Sequence, residues 1–383
     1  MANEHEVPKA VPELEAFLRE FDECAITPTR KLIAAYVKGQ LGSLPRKSVM
    51  PIARAAGIAP RTLQELLSLH RWDEELFRTR VQRRARRVLG AVGGTALLHS
   101  TFVPKRGIKT PGVDRQDRPS TARRPNGCVI VHLTLAAEGN WTLFDGELYL
   151  PRSWTENPAR LREAGIPPDT AYRSPPSLGL ALLDRAIEGG IRPRWVLFDP
   201  AWAAEAGFLA GLHERRLQYA AELPGGTPGY LGSRMAPGSA PRSLLEQAKE
   251  RTLSGRFKLP SGKDGSEAAS FPMGVFPFVP AAAPGPAHAS SVAVLRHPWS
   301  GEFRFFLGGA PSDEGAEVLI EAAIARAKLG ETAAAGLERI GFGHFEVRSF
   351  RSLRRHLRLS EASLLFLCEQ RARQASGARA VAP

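Results

Sequence analysis

Apolar residues recur every three or four positions along the first 90 residues. Leu14, Phe17, Leu18 and Phe21 form one such stripe, and Leu32, Ile33, Tyr36 and Val37 form another, which predicts helices over 11–90. Within this region, Ile52 to Leu63 reads as two short helices joined at Gly57, whose tolerance of positive φ suits a turn. Pro60 or Arg61 opens the second of them, which carries Leu63, Leu66 and Leu67. The pattern resembles a helix-turn-helix, and a plain helical hairpin fits it as well.

The period then changes. Ala96-Leu97-Leu98 reads as a short buried strand. Val129–Leu135 and Trp141–Leu150 read as strands joined by the turn Glu138-Gly139-Asn140. Leu178–Ile187 is predicted helical, Trp195–Phe198 a buried strand ending at Asp199, and Ala203–Arg216 helical again. Ser291–Leu295 and Phe303–Leu307 form a second hairpin around Trp299-Ser300-Gly301, followed by helices over about 314–338 and 350–374. Antiparallel strands followed by strand–helix alternation indicate a mixed α/β sheet. Residues 224–290 are rich in Gly, Pro and Ser and are expected to be an irregular insertion. The predicted organisation is a helical region (1–90), a first part of the core (91–223), the insertion (224–290), the end of the core with basic C-terminal helices (291–375) and a tail (376–383). There is no internal repeat.

Charge narrows the partners. The 383 residues carry a formal net charge of +13, which leaves nucleic acid, an anionic membrane or an acidic protein. The longest uncharged stretch, Ala268–Leu295, holds Pro272, Pro277, Pro280, Pro284 and Pro286, so no membrane-spanning helix is expected there. Cys24, Cys128 and Cys368 are widely spaced, and no signal peptide is visible, so a reducing cytoplasm is expected. Six arginines fall between Arg78 and Arg87, including Arg83, Arg84, Arg86 and Arg87. Arg351, Arg354, Arg355 and Arg358 follow helical i, i+3, i+4, i+7 spacing and share a face. Arginine forks suit phosphate oxygens, so both groups are DNA-backbone candidates, although a solvated face is the plainer reading of any charge run. No nucleotide-binding glycine motif and no nucleophile elbow are present.

Several motifs then follow one another in a telling order. They are His99-Ser100-Thr101-Phe102-Val103-Pro104-Lys105-Arg106-Gly107, Lys109 through Arg115-Gln116, Glu147-Leu148-Tyr149-Leu150-Pro151 with Trp154, and Gly165-Ile166-Pro167. Trp195-Val196-Leu197-Phe198-Asp199 comes next, then His344-Phe345-Glu346-Val347-Arg348-Ser349-Phe350-Arg351 with His356. Leu44-Pro45-Arg46-Lys47-Ser48, Leu63-Gln64 and Arg71-Trp72-Asp73 precede them. In order and spacing the chain resembles the DDE transposases of bacterial insertion sequences, specifically the 701-type group, over roughly residues 30–370 and most weakly in 224–290.

The resemblance implies an α/β fold with an RNase H-like mixed sheet core, an all-helical N-terminal DNA-binding region and an insertion before the last core helix. It implies DNA cleavage and strand transfer on double-stranded DNA at element ends, in the cytoplasm on the nucleoid, with homodimerisation left open. It also implies three carboxylates holding two Mg²⁺ or Mn²⁺ ions about 3.5–4 Å apart. Only one of the three matched positions is an acid: His99 stands at the first, Asp199 at the second and Gly330 at the third, with Glu331 beside it. One residue turns a helix by about 100°, so Glu331 points elsewhere unless the register shifts. Asp114 and Asp117 lie too far along to replace the first acid. Asp199 also fits a helix N-cap, and His99 fits a buried histidine better than a Mg²⁺ ligand.

Lys105 and Arg106 next to Gly107 are candidates for a phosphate or for a solvated loop. Trp154 and Trp202 suit the core better than base stacking. His344 and His356 match no zinc spacing. The expected function is that of a transposase-like DNA-binding protein with impaired catalysis. The alternative is a co-opted or relic sequence-specific DNA-binding protein without nuclease activity. A third reading, a metal-dependent hydrolase using Asp199 and histidines, would show as stoichiometric zinc or iron.

Overall fold

The structure, a computed structural model, describes residues 11–116, 124–205, 207–232, 240–259, 269–281, 290–309 and 315–381. Asp117, and the stretches of 224–290 and of the tail that fall between or after these ranges, lie outside the described residues.

Five helices open the chain: α1 (Val11–Arg19), α2 (Thr27–Leu41), α3 (Val49–Ala55), α4 (Pro60–Ser68) and α5 (Glu74–Leu89). Gly57 adopts φ +65° between α3 and α4, and Ile58 N–H donates back to the Ala53 carbonyl at 2.9 Å. Pro60 starts α4, and Leu63, Leu66 and Leu67 form its buried face, as the periodicity predicts. Asp73 caps α5 by accepting from Glu75 N–H (3.1 Å) and Leu76 N–H (2.8 Å).

Strands follow: β1 (Thr95–Pro104), β2 (Asp114–Arg115), β3 (Asn126–Ala137) and β4 (Asn140–Leu148). The β3–β4 loop is Glu138-Gly139, with φ of 50° and 79°, the mirror-image turn that matches strand twist. Helices α6 (Arg152–Thr155), α7 (Pro158–Ala164) and α8 (Pro175–Glu188) come next, then β5 (Trp195–Phe198). The helix expected over 203–216 is shorter than predicted: a 3-10 turn at Pro200–Ala204, Gly207 at φ +84° and then α9 (Phe208–Glu214). After β6 (Tyr219–Leu223) come β7 (Pro228–Leu231), β8 (Arg242–Ser243), α10 (Leu244–Lys249), β9 (Gly255–Leu259) and β10 (Ala269–Pro280). The chain closes with β11 (Ser290–Arg296), β12 (Phe303–Gly309), α11 (Ala316–Arg339) and α12 (Phe350–Val381).

The described part of 224–290 is therefore built of strands and one short helix, α10, which corrects the expectation of an irregular insertion. The prolines that argued against regular structure are tolerated for a specific reason. At Pro272 only β9 is in register, at Pro277 only β11, and at Pro280 only β7. A strand open on one side there accommodates the missing N–H.

The chain divides into two compact bodies: 1–94, 99–192 and 331–383 in the first, 95–98 and 193–330 in the second. In the first body, β3 pairs with β4 and β2, and α12 packs against β4, α5, α2 and α4. From Ser352 to Glu369 every residue of α12 but Arg354 is buried. Such a helix must satisfy its polar groups internally. Gln40 Nε2 donates to Ser360 Oγ at 2.8 Å, and Ser363 Oγ donates to Gln40 Oε1 at 2.8 Å. The second body holds the strand order β1, β5, β6, β12, β11, β10, β7, β8, with β9 also on β10. The start of β1 runs parallel to β5, β5 parallel to β6, and the rest antiparallel. Leu97, Leu197, Ala220, Phe306 and Ile320 lie in its core.

Candidate functional site

His99, on β1, is half-buried, and its Nε2 lies 3.0 Å from Thr134 Oγ1 on β3. Its ring packs beside that of His132, with centroids 5.2 Å apart, and Phe342 meets His132 edge-on at 5.3 Å. His132 is fully buried, and among the described residues neither of its ring nitrogens has a hydrogen-bond partner. Burial, reinforced by His99, pushes its pKa well below the usual histidine range. Position 99 thus sits beside the neutral imidazole of His132 and the hydroxyl of Thr134, neighbours that suit hard Mg²⁺ or Mn²⁺ poorly.

Asp199 terminates β5 and caps the 3-10 turn, its Oδ1 accepting from Ala201 N–H at 3.2 Å. Arg326 on α11 donates Nε–H to the neighbouring Phe198 carbonyl at 2.7 Å, and the Asp199 charge acts on its guanidinium. Asp199 therefore meets the capping role expected of it. Gly330 lies mid-helix in α11, with nothing within 4 Å of where a Cβ would project. Glu331 is exposed. Asp199 and Gly330 belong to the second body, His99 and Glu331 to the first. Among the described residues, no three His, Cys, Asp or Glu side chains are grouped so as to hold a metal ion. The donors present do not fit a two-metal centre.

The basic candidates divide sharply. Arg84 is wedged between Glu20 (2.5 Å) and Glu369, and its guanidinium lies 4.6 Å from the Phe17 ring centroid. Arg86 donates to the Gly189 carbonyl at 2.9 Å, and Arg87 pairs with Glu20 at 2.8 Å, both remaining exposed. Arg83 and Arg106 are exposed. The four-arginine face does not survive as a face. Arg351 is exposed and Arg354 pairs with Glu75 at 2.6 Å. Arg355 is buried on Glu74 (2.9 Å) and on the Leu66 carbonyl (3.0 Å). Arg358 is buried between Asp145 and Glu361, 2.9 Å from each. Because α12 is buried almost throughout from Ser352 to Glu369, helical spacing brought Arg355 and Arg358 onto carboxylates inside the protein rather than to a surface.

Lys105 is also committed internally. Its Nζ donates to the Phe345 carbonyl at 2.5 Å and sits 3.6 Å from the centroid of the Phe345 ring. Burial lowers its pKa to about 8. The ammonium clamps the turn before α12. His356 completes the clamp: a carbonyl only accepts, so its Nε2–H donates to Phe342 O at 2.8 Å, and Nδ1 accepts from Tyr36 Oη–H at 2.9 Å. Trp154 and Trp202 are buried, as expected of core residues.

The residues that sequence reasoning missed are carboxylates. Asp145 on β4 is fully buried and accepts from Arg358 (2.9 Å), Arg185 (2.8 Å) and its own neighbour Gly146 N–H (2.8 Å), with Arg78 at 3.6 Å. Burial works to raise its pKa, and Arg358 and Arg185 outweigh it, holding the carboxyl below its usual range. Glu361 is fully buried too, and burial, with Asp145 adding, raises it to about 8 against the pull of Arg358. The signal was an acid inside the apolar run Leu359 to Cys368.

Comparison with protein families matches residues 20–258 to the family described as DDE superfamily endonuclease. Comparison with curated proteins gives no match. The matched span covers more than half of the 383 residues and takes in both the helical N-terminal region and the β1–β6 strands. By that match, the chain belongs to the DDE superfamily of endonucleases.

Proposed function

We propose that this protein is a transposase-like DNA-binding member of the family, of the 701-type group, whose strand-cutting chemistry is impaired. The observation that supports the reading is the setting of His99, the residue that the resemblance aligns with the first metal-binding acid: its imidazole is bonded to Thr134 and packed on His132. Divalent ions in such a site would activate the attacking oxygen and stabilise the leaving one. Here the chain supplies Asp199 as a turn cap and a glycine at the third position, so the residues lack the anionic oxygens that hold those ions.

Binding to double-stranded DNA at element ends remains part of the proposal. The cations left exposed, Arg83, Arg86, Arg87, Arg106 and Arg351, support it, as does α4, which directs Arg61 and Gln64 outward from its first turns. Arginine and glutamine are the side chains suited to guanine and adenine edges in a major groove.

The test is a cleavage assay on element-end DNA with Mg²⁺ or Mn²⁺. The wild type is expected to leave the strands intact. Robust cleavage by the wild type, abolished by Asp199→Asn, overturns the impairment.

A further inference from the structure

We propose that the cavity between α5, β4, α8 and the start of α12 binds a small phosphate monoester, its oxygens held by Arg78, Arg185 and Arg354 and its organic part set against Phe350. The inference concerns the first body alone and goes beyond DNA binding, since it assigns a small-molecule ligand to a recess.

The cavity measures about 360 Å³, a volume within the range of small-molecule sites. Its charged lining is the guanidiniums of Arg78, Arg185, Arg354 and Arg358 and the carboxylates of Glu75 and Glu147. Guanidiniums repel one another, so four in so small a space require anions. The protein's own anions fall short. Glu75 is shared between Arg78 (2.7 Å) and Arg354 (2.6 Å), and Glu147 accepts from Arg185 at 3.0 Å. The fully buried Asp145 is shared among Arg185 (2.8 Å), Arg358 (2.9 Å) and Arg78 (3.6 Å). Glu361, the remaining partner of Arg358, has its pKa raised to about 8 by burial and keeps its proton at neutral pH. Four cations thus meet three anions, which leaves one positive charge unbalanced.

Donors are also left over. A guanidinium carries five N–H groups in a rigid fork that matches phosphate oxygens. Among the described residues, Arg185 Nη2 and the Nε and Nη1 of Arg354 have no hydrogen-bond partner. Asp145, Glu75 and the Gly146 carbonyl, which accepts from Arg358 Nη2 at 2.9 Å and also lines the cavity, hold the forks in place before a ligand arrives. Less ordering then remains to be done on binding. The charge is recessed, because Arg358 is buried and Arg78 and Arg185 are half-buried. A phosphodiester within a duplex carries a sugar on either side and does not enter such a recess, whereas a monoester projects three oxygens into it. The rest of the wall, Leu148, Phe350 and Leu357, is apolar and gives the organic part of the ester a surface to bury.

The test titrates the full chain with phenyl phosphate and with inorganic phosphate at constant ionic strength, read by phosphorus NMR line broadening. Phenyl phosphate is expected to bind at one site per chain, about tenfold tighter than inorganic phosphate, because its ring buries apolar surface. Arg354→Gln is expected to weaken it about tenfold, the scale of one charge-assisted hydrogen bond. Glu75→Gln is expected to strengthen it about threefold, because a rim carboxylate is withdrawn and Arg78 and Arg354 are released. A variant that had merely lost its fold would not bind more tightly. Arg373→Gln, at an exposed position near the other end of α12, is expected to change nothing. Absence of binding, equal weakening by Arg354→Gln and Arg373→Gln, or no gain from Glu75→Gln overturns the inference. Equal affinity for the two probes overturns the assignment to an ester. Displacement of phenyl phosphate by a duplex with unphosphorylated ends would assign the cavity to the DNA backbone, overturning the inference while supporting DNA binding. A duplex that does not bind at all overturns the DNA-binding reading and leaves the cavity's ligand standing.

Discussion

Two glycines on α11 show how much one side chain decides. At Gly330 a Cβ would meet nothing within 4 Å, and the residue lies mid-helix, where glycine costs about 1 kcal/mol relative to alanine. Gly330→Ala is therefore expected to raise stability by about 1 kcal/mol in urea unfolding. Six residues on, a Cβ at Gly336 would drive into the Trp141 indole and approach Leu364 at 3.4 Å. Gly336→Ala is expected to lower stability by about 1–3 kcal/mol, the usual cost of overpacking. Equal shifts in the two variants would mean that propensity, not packing, governs this helix.

At the scale of the element, α12 carries two titrations of opposite sign. Burial, against the bond to Phe342 and with Lys105 and His344 adding, lowers the His356 pKa to about 4 from an ordinary 6.5. A depressed folded-state value means that the stability it contributes is full above pH 6.5 and is lost as pH falls towards 4. His356→Gln is expected to flatten that acid limb, narrowing its stability gap to wild type by about 2–3 kcal/mol between pH 7 and 4.5. Glu361 works the other way. Its folded value near 8 exceeds the ordinary 4.5, so its contribution is full below 4.5 and is lost as pH rises through 8. Glu361→Gln is expected to gain on the wild type as pH rises from 5 to 8; a gap that stays constant would mean the carboxyl is ionised throughout.

The same helix marks where sequence reasoning stops. Its existence was legible from periodicity, as were α3–α4, the β3–β4 hairpin and β5, because each is decided by local spacing and turn chemistry. Its environment was not. Spacing tells which residues share a face, and only tertiary packing tells whether that face meets water, as Arg351 does, or carboxylates, as Arg355 and Arg358 do. The strand β10 was hidden for a related reason: whether a proline breaks a strand depends on which neighbours pair there, and that is set by the fold. Motif order singled out 99, 199 and 330 as candidates, whereas His132, whose ring packs beside that of His99, had no motif to announce it.

For the whole molecule, a net charge of +13 overstates what is available to grip a polyanion. Arg84, Arg355 and Arg358 neutralise carboxylates inside the first body, and Lys105 clamps a turn. A cation that touches a phosphate releases counterions, and each such contact steepens the fall of log affinity with log salt by about 0.9. A cation already paired inside the protein releases none. The two classes therefore separate in one titration. Arg106→Gln and Arg83→Gln are each expected to leave unfolding unchanged and to reduce the salt slope of duplex binding by about 1. Arg358→Met is expected to leave the slope intact and to cost about 1–3 kcal/mol of stability, because it takes from buried Asp145 one of its two close guanidinium partners, Arg185 remaining. If Arg358→Met instead lowered the slope without destabilising the fold, α12 would have to present its basic residues to solvent, and the central position assigned to this helix would be wrong.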